Sequence, residues 1–528
     1  MTTIAEILSG QARARPDTLA LVEARPTGGR RLTFGELERE VERAAAELAA
    51  WGLHRGDAVL VFVPMSVDLY VSLLAMFRLG VVALFLDPSA GRRHLEQCCQ
   101  RWPPRALLAT RRAHLLRLVC PALQRIPLKL IPSGWWPNTR CWPGWSRRPG
   151  APARHPASLP ARGDVRPEDP ALVTFTSGST GGPKAAVRTH GFLVAQHRVL
   201  APAIGLAAGD VDLGTLPIFT LANLASGVTT VLSATELRRP GAVDGAQVME
   251  EIGRHRVNRI AASPAFFERL VAAARAGGAV LTTLRHVHTG GAPVFPRVLA
   301  DLRAVAPQAE VVAVYGSTEA EPIAHLAAEE ITEDDLAAMR SGGGLLAGQP
   351  VEAIDLRIVR DRWGTPRGAL GAAEFAAETL PTGEVGEIVV AGEHVLPGYL
   401  GGVGDEETKF RVDGRVWHRT GDAGRIDDRG RLWLLGRCAA RIDDARGRLY
   451  PFAVECVAME ISGVRRAAAI AHRDRRLLVV EAPTECLDSL RAALVWAHLD
   501  EVRMVRAIPV DRRHNAKIDY PALRRMLG

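Results

Sequence analysis

Up to residue 130 the apolar positions switch between two periods. Leu37 to Trp51 and Leu69 to Leu79 repeat at helical spacing, whereas Ala58 to Val63 and Val81 to Leu86 are short unbroken apolar runs. Such a run, bounded by turn formers, marks a buried strand, and helices alternating with buried strands specify an α/β layered sheet. Residues 131–169 break the pattern with eight prolines, many arginines and Trp135, Trp136, Trp142 and Trp145. That composition forms no regular element and predicts a surface loop or linker. Ala171 to Phe175 is again a strand and runs into a Ser/Thr/Gly loop, after which strands and helices continue to Val314. From Gly383 to Trp433 short strands are separated by Gly and Asp turns, as in a small barrel or sheet. Beyond Gly436, Ala467 to Ala471 and Leu477 to Val480 predict strands, Leu487 to Ala497 a helix, and a last helix follows Tyr520.

Length and composition narrow the class. A chain of 528 residues exceeds one ordinary domain, and 47% apolar with 23% charged residues is globular composition. No uncharged apolar run is long enough to cross a bilayer, and the first residues lack a basic stretch followed by an apolar core. The seven cysteines form no C-x-x-C pair, which points to reduced thiols and the cytoplasm. Net charge is +8, yet the arginines form no runs and aromatic residues are 5% of the chain, so nucleic acid is not the expected partner. Of 66 basic residues four are lysines: Lys129, Lys184, Lys409 and Lys517. An ammonium is a compact point charge that a planar guanidinium does not always replace, so each retained lysine is a candidate for chemistry.

Lys184 closes the most chemical segment, Thr174-Phe-Thr-Ser-Gly-Ser-Thr-Gly-Gly-Pro-Lys184. A strand ending in glycines presents successive backbone N–H groups to phosphate oxygens, and Thr176, Ser177, Ser179 and Thr180 add rotatable donors. Pro183 before the lysine and Ala185 after it distinguish this loop from a Walker A motif.

With this loop the chain resembles the adenylate-forming superfamily of acyl-CoA synthetases, peptide-synthetase adenylation domains and luciferases. The resemblance runs from Leu32-Thr-Phe-Gly-Glu-Leu37 to the end of the chain. It implies an α/β fold with a large multi-layer domain, 1–436, containing a small β-barrel-like subdomain, and a small mobile α+β domain, 437–528. It implies that Thr176, Ser177, Gly178, Ser179, Thr180, Gly181 and Lys184 embrace the phosphates of ATP. Gly291, Ala292 and Pro293, in Gly290-Gly-Ala-Pro293, resemble the adenine-contacting segment. In Tyr315-Gly-Ser-Thr-Glu319 the tyrosine is expected to stack on adenine, with Gly316 and Ser317 beside it. Thr318 is then expected to reach the α-phosphate, and Glu319 to help hold Mg²⁺. Asp422, in Thr420-Gly-Asp422, corresponds to the carboxylate that takes the ribose hydroxyls, and Arg437 to the arginine at the domain junction. Lys517, in Asn515-Ala-Lys-Ile518, corresponds to the lysine that bridges carboxylate and α-phosphate.

The implied activity is ATP-dependent conversion of a carboxylic acid, fatty or otherwise hydrophobic, to acyl-AMP with release of pyrophosphate. Lys517, Lys184, Thr318 and Glu319 are the catalytic candidates, ATP and Mg²⁺ the cofactors. Transfer to CoA or an acyl-carrier thiol is the expected second step; closure of a β-hydroxy acid to a β-lactone without CoA is the alternative. A catalytically silent nucleotide-binding relative is a reading of another class. Asp87-Pro-Ser, Asp210-Val-Asp-Leu, Thr215-Leu-Pro-Ile-Phe219 and Ile508 to Ile518 are similar to the olefin-biosynthesis branch, which contains both fatty-acid CoA ligase-like proteins and β-lactone synthetases. The chain departs from the superfamily pattern in three places. Thr220 stands where relatives carry a larger gate, Ala439 and Ala440 where they carry an acidic or lysine hinge, and Asn515-Ala516 precede Lys517 in place of Ser-Gly.

Overall fold

The computed structural model describes residues 3–25, 28–86, 91–141, 165–177, 183–510 and 517–528. It forms two compact units, Met1–Ala234 with Gly398–Asp405, and Thr235–Pro397 with Glu406–Gly528.

The first unit carries strands β1 (Leu19–Glu23), β2 (Arg31–Thr33), β3 (Ala58–Phe62), β4 (Val82–Phe85), β5 (Ala106–Ala109), β6 (Leu128–Ile131), β7 (Arg140–Cys141), β8 (Pro170–Ser177), β9 (Pro183–Thr189), β10 (Val211–Gly214) and β11 (Thr229–Leu232). Seven of them make one sheet in the order β7-β6-β5-β3-β4-β8-β9, parallel except for the β8–β9 pair. Its strands alternate between two cores. Val59, Val61, Ala83 and Leu108 pack under the helices Phe34–Ala50 and Val67–Leu79, while Leu60, Phe62, Leu84 and Leu107 pack on the opposite face. A sheet covered on both faces needs apolar residues at both parities, which is why these strands are unbroken apolar runs. The helix expected from Leu37 begins at Phe34, because Thr33 and Glu36 form a reciprocal capping box.

The second unit begins with parallel strands β12 (Arg259–Ala262), β13 (His286–Gly290) and β14 (Glu310–Ser317). Antiparallel strands β15 (Ala320–Ala327), β16 (Leu345–Pro350), β17 (Asp355–Val359), β18 (Gly386–Ala391), β19 (Lys409–Val412), β20 (Arg415–Ile426) and β21 (Leu432–Arg437) extend it in the order β14-β15-β16-β21-β20-β18-β17, with β19 on β20. The short strands expected from Gly383 to Trp433 therefore lie in an open sheet that does not close into a barrel.

The C-terminal residues add the hairpin β22 (Ile442–Asp444) and β23 (Gly447–Leu449), helix Pro451–Glu460, and a sheet of β24 (Arg466–His472), β25 (Arg475–Glu481) and β26 (Glu501–Met504). The helix expected over Leu487–Ala497 ends at Ala493 and finishes as a 3₁₀ turn, Val495–Ala497. Among residues 131–169, Arg140–Cys141 is a strand, and Trp142 and Trp145 lie outside the described residues.

Candidate active site

Two glycine-containing segments emerge side by side in the second unit. β13 and β14 are parallel with Gly290 opposite Val314, so Gly291-Ala-Pro293 and Tyr315-Gly-Ser317 leave the carboxyl ends of adjacent strands. That edge of an open parallel sheet is where α/β folds place ligands. Gly290 is required by packing, since a Cβ there would lie 2.5 Å from the Val314 carbonyl oxygen.

Around Tyr315 the side chains converge. Its hydroxyl donates to Asp422 Oδ2 at 2.8 Å, although Asp422 sits on β20, several strands away. Arg437, opposite Asp422 on β21, donates from Nη1 to Asp422 Oδ1 at 2.9 Å and to the Thr420 carbonyl at 3.2 Å. Thr420 Oγ1 donates to the Ile388 carbonyl at 2.9 Å and accepts the Asp422 N–H at 3.1 Å. Between them Gly421 has φ +71°, and a Cβ there would stand 2.8 Å from the Trp363 ring. Burial, and then the negative charge of Asp422, push the Tyr315 phenol well above its usual pKa, so it stays a donor. The Asp422 charge likewise holds Arg437 protonated.

A carboxylate offers about four lone-pair sites, and Asp422 has spent two on Tyr315 and Arg437, which leaves capacity for a vicinal diol.

Thr318 and Glu319 form the two-residue turn between β14 and β15, where Ser317 pairs with Ala320. Ser317 Oγ accepts the N–H groups of Glu319 and Ala320, both at 3.2 Å, and the Leu396 N–H donates to the Glu319 carbonyl at 2.7 Å. Lys409, buried, donates to the Leu396 carbonyl, and His394 bonds the Pro322 carbonyl at 3.0 Å. Burial, aided by Lys409, lowers the pKa of nearby His418 to about 3, so its imidazole is neutral. Lys409 and Thr420, which the sequence offered only as one of four lysines and as a neighbour of Asp422 in its motif, are thus structural partners of the site. The retention of Lys409 as one of four lysines was the available signal. Among the described residues no group of three His, Cys, Asp or Glu makes a metal site by itself. Glu319 fits Mg²⁺ as a single hard ligand, with other positions left to water and phosphate.

Lys517 is exposed, next to Ile518, which bridges to Val510. Two residues on, the Tyr520 hydroxyl donates to the buried Glu455 at 2.8 Å and feels the charge of Arg437. The segment bearing Lys517 is thereby anchored near the Tyr315–Asp422–Arg437 group.

In the first unit, Thr176 and Ser177 end β8 opposite Lys184 and Pro183 of β9. Gly178, Ser179, Thr180 and Gly181 lie outside the described residues, as do Asp87 and Asn515-Ala516. Lys184 is buried, with its ammonium 5.8 Å from the Tyr399 ring centroid. Gly404 leaves it room, since a Cβ there would come within 2.5 Å of the lysine Cε.

Residues 8–400 match the model of the AMP-binding enzyme family. Two olefin beta-lactone synthetases align over nearly the whole chain. That of Stenotrophomonas maltophilia is 33% identical over 98% of this chain and 96% of its own length. That of Xanthomonas campestris pv. campestris is 32% identical over the same shares. A crystal structure of an anthranilate CoA ligase with anthranoyl-AMP has the same fold, with TM-score 0.80 at 17% identity over 99% of this chain and 97% of that one. The chain belongs to the AMP-binding enzyme family and is an adenylate-forming acid ligase.

Proposed function

We propose that this ligase activates a hydrophobic β-hydroxy acid with ATP and closes the acyl-adenylate to a β-lactone, without passing the acyl group to a thiol. The observation that carries this reading is the full-length similarity to two olefin beta-lactone synthetases. It reverses the order of preference that the motifs alone imply, in which CoA or a carrier thiol comes first.

The junction after Gly436 supports the same choice. Thiolation in this superfamily requires the C-terminal domain, 437–528 in this reading, to rotate about a hinge. Here Arg441 binds Asp361 at 3.2 Å and Asp443 at 2.9 Å, and Tyr450 donates to Asp361 at 2.8 Å. The Trp363 N–H adds another donor to the same carboxylate at 2.9 Å, and Cys438 beside the junction is fully buried. A carboxylate so enclosed holds its partners because freeing any of them strands a buried charge.

In this proposal Tyr315 and the Gly291–Pro293 segment hold adenine, and the free lone pairs of Asp422 take the ribose hydroxyls. Thr176, Ser177, the glycine-rich loop and Lys184 hold the phosphates, and Thr318 the α-phosphate. Mg²⁺, when bound through Glu319 and phosphate, supplies charge neutralisation. Bringing a carboxylate to a phosphate costs about 4 kcal/mol per charge pair at 4 Å in a medium of effective dielectric near 20. Lys517 offsets that repulsion as the acid oxygen attacks the α-phosphorus and pyrophosphate leaves. In the second step the β-hydroxyl oxygen bonds to the acyl carbon, the bond from that carbon to the AMP oxygen breaks, and the hydroxyl proton is released. Six of the seven cysteines are buried and none forms a C-x-x-C pair, which supports a reducing cytoplasmic setting.

Mass spectrometry of products from ATP, Mg²⁺ and a β-hydroxy fatty acid, with and without CoA, tests the reading. Lactone and AMP are expected in both reactions. Acyl-CoA in place of lactone when CoA is present would return the enzyme to the thiol-ligase reading.

A further inference from the structure

One stretch of the chain has no acid in it. Between Glu96 and Asp164 there are twelve lysines and arginines and no aspartate or glutamate. The whole chain carries +8, so the rest of it carries 8 − 12 = −4. The excess positive charge belongs to this segment.

Its described part sits at one edge of the seven-stranded sheet. The turns Arg111–His114 and Leu115–Leu118 follow the carboxyl end of β5, and the loop 132–139 follows that of the parallel neighbour β6. They are joined: Arg117 Nη1 donates to the Pro137 carbonyl at 3.4 Å, and the Arg111 guanidinium covers Gly134. On this edge Leu115, Leu118, Val119 and Trp135 are 48%, 72%, 60% and 69% exposed. They are four of the ten large apolar side chains that stand out as exposed among the described residues. With them lie Arg111, Arg112, Arg117 and Lys129, and among the described residues none of the four has a carboxylate partner. Burial and the nearby Arg117 both lower the Lys129 pKa, as expected where like charges crowd without a counter-ion.

Each component fits the same surface. Guanidinium and ammonium groups bind lipid phosphates, tryptophan prefers the headgroup level, and leucine and valine gain by entering the acyl region. A nucleic-acid backbone would use the charges and leave the aliphatic side chains in water.

We propose that the edge formed by Leu115, Leu118, Val119 and Trp135 with their unpaired arginines is a peripheral docking surface for an anionic lipid bilayer. The inference does not depend on which acid the enzyme activates.

The test is co-sedimentation of the full chain with vesicles of phosphatidylglycerol mixed with phosphatidylcholine, against phosphatidylcholine alone, at low and high salt. Binding is expected only to the anionic vesicles, and to weaken with salt. Arg111→Gln with Arg112→Gln should lower the partition constant roughly thirtyfold, at about 1 kcal/mol per charge. Leu118→Ser with Val119→Ser should lower it by about tenfold, while melting temperature and pyrophosphate exchange stay at wild-type values because both side chains are exposed. Absence of vesicle binding, or equal binding by both double variants, overturns the proposal. So does a wild-type dimer that L118S/V119S converts to monomer without any lipid effect, which would give the patch to a second copy of the chain.

Discussion

Lys517 shows what a single residue contributes in a chain that writes 62 of its 66 positive charges as arginine. It is exposed, but Ile518 and Tyr520 tie down its segment. Lys517→Ala should lower pyrophosphate exchange by about a hundredfold or more while ATP affinity, measured by calorimetry, changes little, because in the proposed mechanism the ammonium acts where charge builds up during transfer. Unchanged exchange would remove Lys517 from the mechanism. Tyr315, Asp422 and Arg437 stood out in their motifs, each with a chemistry that few residue types supply, and hydrogen bonds join them in the structure. The hydrogen bonds of Thr420 and Lys409 were not legible, because their partners, Ile388 and Leu396, are backbone carbonyls with no signature in sequence.

Elements were most legible where both faces are buried. β3 and β4 read directly as unbroken apolar runs, because each core takes alternate residues. Element ends were less legible: the helix from Leu487 stops at Ala493, and the 3₁₀ turn Val495–Ala497 that follows is closed by His498 at φ +48° before β26. Between elements, the Asp361–Arg441–Tyr450 group joins the turn after β17 to the segment leading into helix Pro451–Glu460. Asp361→Asn keeps the shape and removes the charge. Amide hydrogen exchange across 438–450 should then quicken by tenfold or more, given about 1.4 kcal/mol per factor of ten and a larger penalty for breaking a buried pair. Exchange equal to wild type would show that Asp361 does not pin the junction. The hinge alanines, 439 and 440, were visible as a departure from pattern, but Asp361, which binds Arg441 and Tyr450 beside them, lies far away in sequence.

At the scale of the whole molecule, stability is tied to histidines kept out of water. Burial lowers His190 to about 4 and both His288 and His418 to about 3. His190 is fully buried, edge-on to Phe77 at 5.7 Å, and neither ring nitrogen has a hydrogen-bond partner among the described residues. A lowered folded-state value means the neutral form is favoured by folding. The stabilisation is intact above the unfolded value near 6.5 and is lost as pH falls toward 4, at about 1.4 kcal/mol per pH unit per imidazole. His190→Leu should flatten the acid limb of the denaturant-midpoint curve, and parallel limbs for variant and wild type would refute the assignment. The α/β class was legible from alternation alone. The return of Gly398–Asp405 to the first unit was not, because its tie is a bridge from Tyr399 to Ala186, remote in sequence. The charge asymmetry was hidden for another reason: totals count bases, and the signal was missing acids.

The two bonds to Asp422 have one more consequence. In the proposed ribose-binding role, a carboxylate already held by Tyr315 and Arg437 has few rotamers left to surrender on binding, which spares roughly 0.5–1.5 kcal/mol of ordering cost. On the proposed role of Asp422, adenosine without any phosphate should compete with ATP, because the carboxylate that would receive its ribose is already set in place.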